Sequence, residues 1–217
     1  MKVAVSQTWL NFTRDRRGVS AVEFAICLPF LLFVTLWAIE LANFILVRQQ
    51  ISQLALQVAD NASRIGTQNT IQTQINEKQI NDLFTGANLQ ASALNLPTYG
   101  RIILSSLEVQ PDPPKGQYIH WQRCFGGLSY ASSYGVAGDG EGNSSFKGMG
   151  PKGSKVTALP GIPVMYVEIG YTYQSIISDY VAPSEPIQEI ATVLVRDSRD
   201  TSGPGINPVS GVTASSC

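Results

Sequence analysis

One segment limits the possible folds of this 217-residue chain more than any other feature. Of the 24 residues from Phe24 to Val47, 20 are hydrophobic. The exceptions are Pro29, Thr35, Glu40 and Asn43. A helix crosses the hydrocarbon core of a bilayer with ~20 mostly apolar residues. The segment therefore predicts a transmembrane helix at about 24–47, and the absence of a second such run in the sequence predicts a single-pass protein.

Basic residues beside the span predict its orientation, because loops rich in Lys and Arg stay in the cytoplasm. Lys2, Arg14, Arg16 and Arg17 precede the span, whereas Arg48 and Arg64 follow it within about 20 residues. We therefore expect a cytoplasmic N-terminus and residues 48–217 on the other side. An ordinary secretory signal peptide is the alternative. It requires a shorter apolar run of ~7–15 residues and a small-x-small cleavage site, and Ala38 and Ala42 do not form one.

A glycine and a carboxylate mark the start of the apolar stretch. Gly18 precedes Val19, and Glu23 lies near the start of the apolar stretch. A charged side chain in a membrane costs ~2.5–3.5 kcal/mol at the centre of the helix and less near the interface. Glu23 either marks the headgroup boundary, with its carboxylate in water, or has a positive partner. Cleavage after Gly18 would create that partner, since the new α-amino group of Val19 on a neighbouring helix could pair with Glu23.

This segment resembles the TadE-like pseudopilins of Tad (Flp) type IV pilus systems. The resemblance covers about residues 16–65 and rests on Arg17 to Ala25, Leu28 to Leu32 and Ile39 to Leu41. Those proteins share a basic stretch, a Gly, a few small residues, Glu-Phe, a Leu-Pro within the span and a later Ile-Glu. The resemblance implies a basic leader at 1–18, which an aspartic prepilin peptidase removes between Gly18 and Val19. It also implies a role for Glu23 in processing or helix assembly and for Phe24 in helix packing.

The same resemblance implies a function, a location and partners. The function is that of a minor pilin or pseudopilin in the assembly of a Tad pilus for adhesion or surface attachment. The location is the bacterial inner membrane, with the C-terminal domain in the periplasm or carried into the extracellular pilus. The partners are the prepilin peptidase, TadF-like minor pilins, the major Flp pilin and the inner-membrane assembly platform. An uncleaved, membrane-anchored extracytoplasmic binding protein or adhesin is the alternative.

Charge excludes some functions. The formal net charge of −1 and a charged fraction of 14% argue against a nucleic-acid-binding protein. A leader at 1–18 carries four basic residues and one acidic residue, a net charge of +3. The remaining chain then has 11 basic and 15 acidic residues, a net charge of −4.

Helical periodicity continues beyond the span. Ile51, Leu54, Val58, Ala62 and Ile65 recur mostly at helical spacing and are followed by Gly66. The pattern predicts one helix at 19–65, roughly 70 Å long, whose second half carries a domain on one apolar face. Two helices with a break near Asn43 are the alternative.

The rest of the chain predicts an α+β domain at 66–200, outside the cytoplasm, followed by a tail at 201–217. A second amphipathic helix is expected within 67–96, ending near Gly86. Apolar alternation then predicts an antiparallel sheet of about four strands, and a proline-rich connection separates the first two. These strands are expected at 101–110, 117–125, 164–175 and 188–196. Residues 176–181 fit either a strand or a short helix.

The region 126–153 contains nine glycines and predicts a long mobile loop between strands. Asp139, Glu141 and Asn143 alternate with glycines as in calcium-binding loops. An EF-hand also requires Gly at 144 and Glu at 150, where this chain has Ser144 and Gly150. We therefore expect no metal or cofactor there, and favour a solvated loop or partner-binding surface.

Two of the three cysteines, Cys124 and Cys217, fall outside the cytoplasm, in an oxidising compartment. A disulfide between them would stabilise the domain by up to ~4–5 kcal/mol in the chain-entropy model and hold the tail. Free thiols or an intermolecular bridge are the alternatives. Cys27 is expected to be an apolar packing residue in the span. The single histidine, His120, has no recognisable catalytic partner, so an enzyme is not expected.

Overall fold

A computed structural model of the chain describes residues 18–68, 72–110, 116–180, 182–183 and 185–217. Residues 1–17 of the expected leader and residues 111–115 of the proline-rich connection lie outside the described residues. The chain divides into two compact units. One combines Met1–Phe44 with Ser175–Ala182, and the other combines Ile45–Gln174 with Pro183–Cys217.

Helix α1 runs from Val19 to Arg64 without interruption, and Pro29 lies inside it. The long N-terminal helix predicted by the periodicity is therefore confirmed, and the alternative with a break near Asn43 is not found. Within its second half the buried residues recur at spacings of three and four, as expected for a helix with one packed face. We call residues 51–63 the packed segment. Its buried residues are Ile51, Leu54, Ala55, Val58, Ala59, Ala62 and Ser63.

Among the described residues, nine shorter elements follow α1. In chain order they are β1 (Thr67–Gln68), β2 (Thr73–Gln74), α2 (Glu77–Gln90), a 3-10 helix (Ser92–Leu94), α3 (Leu96–Tyr99), β3 (Gly100–Val109), β4 (Gln117–Phe125), β5 (Val164–Tyr171) and β6 (Ile187–Leu194). The last four form one antiparallel sheet in the order β4-β3-β5-β6, and β1 pairs with β2. The predicted α+β fold is confirmed.

Helix α2 differs from the prediction at its end. It begins with a capping box, in which the Asn76 side chain accepts from the Gln79 N–H and the Gln79 side chain accepts from the Asn76 N–H. The expected end near Gly86 is wrong, because the helix continues to Gln90. Ala87 lies one turn beyond Leu83 and is buried with it, so the apolar face that packs the helix extends past the glycine.

Two smaller expectations about strands also change. Strand β5 ends at Tyr171 instead of continuing to 175. The described part of 176–181 is neither strand nor helix but bends and turns.

The two faces of the sheet are covered by different parts of the chain. On one face, Phe84 of α2 stacks on Phe125 of β4 with ring centroids 5.8 Å apart, and Arg48 of α1 pairs with Glu189 of β6 at 2.9 Å. On the other face lies a buried cluster against which Tyr134 and Phe146 of the glycine-rich region pack. Its members are Leu107, Ile119, Met149, Ala158, Val164 and Tyr166.

Candidate assembly segment

The residues predicted for cleavage and assembly lie together at the start of α1. Gly18 directly precedes the helix, and Val19 is its first residue. Glu23 and Phe24 are both exposed, Phe24 by 64% of its surface. Every residue from 18 to 39 is exposed, and we call this stretch the exposed segment. Its surface is therefore available to lipid or to another chain.

The exposed segment has the composition of a membrane span. Helix α1 contains an 18-residue window with a mean hydropathy of 2.2, none of which is buried inside the protein. Among the described residues it is the one helix long and apolar enough to cross a membrane. An apolar helix without an apolar covering of its own is consistent with membrane anchoring.

One carboxylate within the predicted span is buried. Glu40 is only 1% exposed, whereas Ile39 beside it is 55% exposed. The N–H of Ile177 donates to Oε2 of Glu40 at 2.8 Å, and the N–H of Ile176 donates to the same oxygen at 3.2 Å. In the sequence, Glu40 belongs to the Ile39 to Leu41 motif of the family resemblance and is also an exception in an apolar run. Its isolation there was the one available signal that it needs a partner.

The far end of α1 is held by an arginine that the sequence analysis missed. The Arg199 guanidinium is buried and donates to the main-chain carbonyl oxygens of Ala62, Ser63 and Ile65, at 3.2, 3.2 and 2.8 Å. The last carbonyl groups of a helix have no partner within the helix, and they carry its negative dipole end. Burial lowers the pKa of Arg199, against the opposing effect of the Asp197 carboxylate at 3.7 Å. Arg199 therefore joins the segment after β6 to the end of α1.

A disulfide joins Cys124 of β4 to Cys217, with Cα atoms 4.9 Å apart. Beside it, the N–H of Cys124 donates to the carbonyl oxygen of Ser215 at 2.8 Å. The Asn81 side chain of α2 donates to the carbonyl oxygen of Thr213 at 2.9 Å. The tail is thus attached to the domain along its length, although it forms no regular secondary structure. Cys27 is exposed in the described structure and forms no disulfide.

His120 is the centre of a second attachment of the tail. Its Nδ1 lies 3.0 Å from Glu108 Oε2, and its Nε2 lies 2.9 Å from the carbonyl oxygen of Gly203. A carboxylate and a carbonyl both accept, so the two bonds together require an imidazolium that donates from both nitrogens. Burial lowers the pKa of His120, but the hydrogen bond and charge of Glu108 outweigh it, and the pKa lies above its ordinary value. His120 therefore joins β4 to the start of the tail through an ion pair that the sequence did not indicate.

The glycine-rich region is fastened to the sheet, in contrast to the mobile loop predicted. Buried Glu168 of β5 accepts from the Ser133 N–H at 3.0 Å and from the Ser132 hydroxyl. Burial raises the pKa of Glu168, and these two hydrogen bonds oppose the rise. Gly170 of β5 is required here, because a Cβ at this position would lie 2.6 Å from the Tyr130 ring.

The residues considered for calcium have local partners. Asp139 Oδ2 accepts from the Val136 N–H at 2.9 Å, and Asn143 Oδ1 accepts from the Ser145 N–H at 3.0 Å. In the described part of the chain, no group of three or more His, Cys, Asp or Glu side chains is placed to hold a metal ion.

The segment that begins at Gly18 is similar to a known protein family. Residues 18–60 match the family model of TadE-like proteins. The resemblance predicted from the sequence is thereby confirmed over this part of the chain. The TadE-like match indicates a pilin-like protein associated with a Tad pilus, and the family is a structural pilus component rather than a known enzyme family. Comparisons with curated proteins and with solved structures give no match.

The match covers the exposed segment and most of the packed segment but not the sheet. The family match therefore says nothing about the sheet domain that packs on the second half of α1. Together, the match and the apolar helix are consistent with membrane association and with partners in a pilus.

Proposed function

We propose that this chain is a minor pilin or pseudopilin, cleaved by a prepilin peptidase between Gly18 and Val19, that acts in the assembly of a Tad pilus for adhesion or surface attachment. The observation that carries the proposal is the exposed segment. It is an uninterrupted, all-round apolar helix surface that starts at Gly18 and matches TadE-like proteins from that residue. The chain acts as a structural component and not as an enzyme.

The surroundings of Gly18 support cleavage after it. A Cβ at Gly18 would meet no described atom within 4 Å, and the residue does not adopt the left-handed backbone that favours glycine. Neither packing nor backbone conformation of the described chain therefore explains a glycine here. Recognition of a small residue by the peptidase would explain a glycine at this position.

The position of Glu23 supports assembly through helix packing. Glu23 is exposed on a surface that is otherwise apolar, so a lipid or helix neighbour would bury its carboxylate. After cleavage, the positive amine of Val19 on an adjacent helix is a suitable partner, and this pairing fixes the axial register of the two helices. Phe24 beside it supplies apolar contact. The chain is anchored in the bacterial inner membrane, with residues 48–217 in the periplasm before incorporation into the pilus.

The proposed partners follow from this role. They are the prepilin peptidase, TadF-like minor pilins, the major Flp pilin and the inner-membrane assembly platform. The apolar surface of the exposed segment is the contact available to the pilins and the platform.

The test is the mass of the protein from cells with and without a prepilin peptidase. We expect a chain that begins at Val19 when the peptidase is present and one that retains residues 1–18 when it is absent. Gly18→Leu should block this conversion. The matched control is Gly86→Leu, since Gly86 is also an exposed glycine with open space around its Cβ position.

A chain that keeps its first residue in peptidase-competent cells would overturn the proposal. That result would favour the alternative function, an uncleaved, membrane-anchored binding protein or adhesin. Loss of pili in a Glu23→Ala variant would support the pairing with Val19, and unchanged piliation would show that Glu23 is an interfacial charge.

A further inference from the structure

The buried Glu40 is hydrogen-bonded to a part of the chain that is far from it in sequence. Ser175–Ala182 belongs to the same compact unit as the first part of α1, although it follows strand β5. Its main-chain N–H groups at Ile176 and Ile177 donate to the Glu40 carboxylate. A carboxylate that accepts such hydrogen bonds has partners that replace water. These bonds hold residues 175–180 against the helix at the level of Glu40.

The level of Glu40 is set by the length of the span. A span of the minimum length of about 20 residues that starts at Phe24 ends at Asn43, near the outer end of the span predicted at about 24–47. Glu40 precedes Asn43 by less than one turn of about 3.6 residues. In a membrane-anchored chain, Glu40 and the segment bonded to it therefore lie at the boundary between acyl chains and headgroups.

The exposed side chains of this segment suit that boundary. Tyr180 is 100% exposed and Ile176 is 66% exposed, and Ile177 also retains exposed surface. Tyr is enriched where a membrane meets water, because its ring is apolar and its hydroxyl is polar. The charged Asp179 accepts a hydrogen bond from the Ser175 hydroxyl within the segment. The segment thus combines apolar and aromatic surface with short polar groups.

We propose that residues 175–180 form a second membrane contact, the interfacial segment, in which Ile176, Ile177 and Tyr180 lie against lipid at the outer headgroup boundary. The occupant of this surface is the bilayer, because the surface is continuous with the apolar helix to which Glu40 fastens it. The bonds to Glu40 serve two purposes. They satisfy a carboxylate at the end of a span, and they hold the interfacial segment at membrane depth. The inference rests on the membrane anchoring in the proposed function.

The experiment uses the full chain with Cys27→Ala, reconstituted in phosphatidylcholine–phosphatidylglycerol vesicles. An environment-sensitive nitrobenzoxadiazole label is placed at Tyr180→Cys, and lipids carry a nitroxide either near the headgroup or near the bilayer centre. We expect stronger quenching by the headgroup nitroxide than by the central one. Leu159→Cys is the matched control, since Leu159 is an exposed apolar residue outside the segment and should escape both quenchers.

A third label, at Phe33→Cys, separates failure of this inference from failure of the proposed function. Phe33 lies within the exposed segment, and the central nitroxide should quench a label there. If Phe33 is quenched while Tyr180 behaves like Leu159, the interfacial segment is wrong and membrane anchoring stands. If Phe33 is not quenched either, both are wrong. A label at Tyr180 that responds to protein concentration but not to lipid nitroxide would overturn the inference in favour of a second copy of the chain.

Two further variants test whether Glu40 holds the segment. Glu40→Ala should reduce the headgroup quenching at Tyr180, because it removes the acceptor for the two N–H groups. Glu23→Ala, which removes the other carboxylate of the helix's apolar part, should leave that quenching unchanged. Equal quenching in both variants would show that the bonds to Glu40 do not position the interfacial segment.

Discussion

Two parts of helix α1 are rich in apolar residues but arrange them differently. In the exposed segment, residues 18–39, apolar side chains surround the helix and all of them are exposed. In the packed segment, residues 51–63, buried side chains recur at spacings of three and four and polar residues lie between them. A helix that is apolar all round needs lipid or neighbouring helices, whereas an apolar stripe needs only its own domain. The pattern of apolar residues, rather than their number, thus separates the membrane part from the domain part.

The disulfide gives the largest expected difference between the two parts. Cys217→Ser opens the loop closed by the Cys124–Cys217 bond, which spans 93 residues of sequence. We expect the domain to lose about 4–5 kcal/mol of unfolding free energy in the chain-entropy model. Cys27→Ser, in the exposed segment, is the control and should change it little. Denaturant unfolding of the full chain in detergent measures the unfolding free energy of both variants. Similar losses in the two variants would contradict the difference proposed between the exposed segment and the domain.

Truncation of an apolar side chain tests the comparison directly. Ile51→Ala removes a fully buried side chain from the packed segment, and we expect the domain to lose about 3 kcal/mol through lost burial and the resulting cavity. Leu31→Ala makes a similar truncation in the exposed segment. It should leave domain unfolding in detergent unchanged, because the Leu31 side chain is exposed and lies outside the packed segment. A destabilising Leu31→Ala would show that the exposed segment also packs on the domain.

The arginine at the end of the packed segment should have a smaller effect. Arg199→Ala leaves the carbonyl groups of Ala62, Ser63 and Ile65 without this donor, at a cost of about 2 kcal/mol. Arg64→Ala is the control. The Arg64–Asp60 pair is exposed, so its removal should cost below about 0.5 kcal/mol. Thermal unfolding compares the two, and equal shifts would show that Arg199 does not cap the helix.

The smallest expected effect is a dependence on pH confined to the domain. The pKa of His120 in the folded chain lies above its ordinary value of about 6.5. The ion pair with Glu108 therefore contributes fully to the unfolding free energy at pH values below about 6.5. The contribution is lost as pH rises through the folded pKa. The difference in unfolding free energy between the native chain and His120→Gln should therefore shrink with rising pH. A constant difference from pH about 6 upward would exclude an ion pair that stabilises the fold.

Local patterns explain what the sequence could predict. The helix expected at 19–65 is found at Val19–Arg64, and the strands expected from 101 and 117 begin at Gly100 and Gln117. Helix and strand periodicity needs only neighbouring residues, so a short window contains it. The family resemblance was visible for the same reason, since its motifs are contiguous.

The hydrogen bonds that attach helix α1 to later parts of the chain could not be predicted, because they join residues that are distant in sequence. Glu40 and Ile177 are 137 residues apart, and so are Ala62 and Arg199. Nothing local to either member indicates which partner the fold brings to it. The disulfide was easier to foresee, because only two cysteines lie outside the predicted span.

The Arg199 cap also has a mechanical consequence. Under the proposed function, extraction of the chain from the membrane would pull on the helix and load its junction with the domain. The helix would otherwise transmit this load through the short turn at Ile65 and Gly66. Because Arg199 holds the last carbonyl groups of the helix, part of the tension passes directly to the chain that follows strand β6 and so into the sheet. The cap thus gives the helix a second point of attachment under load.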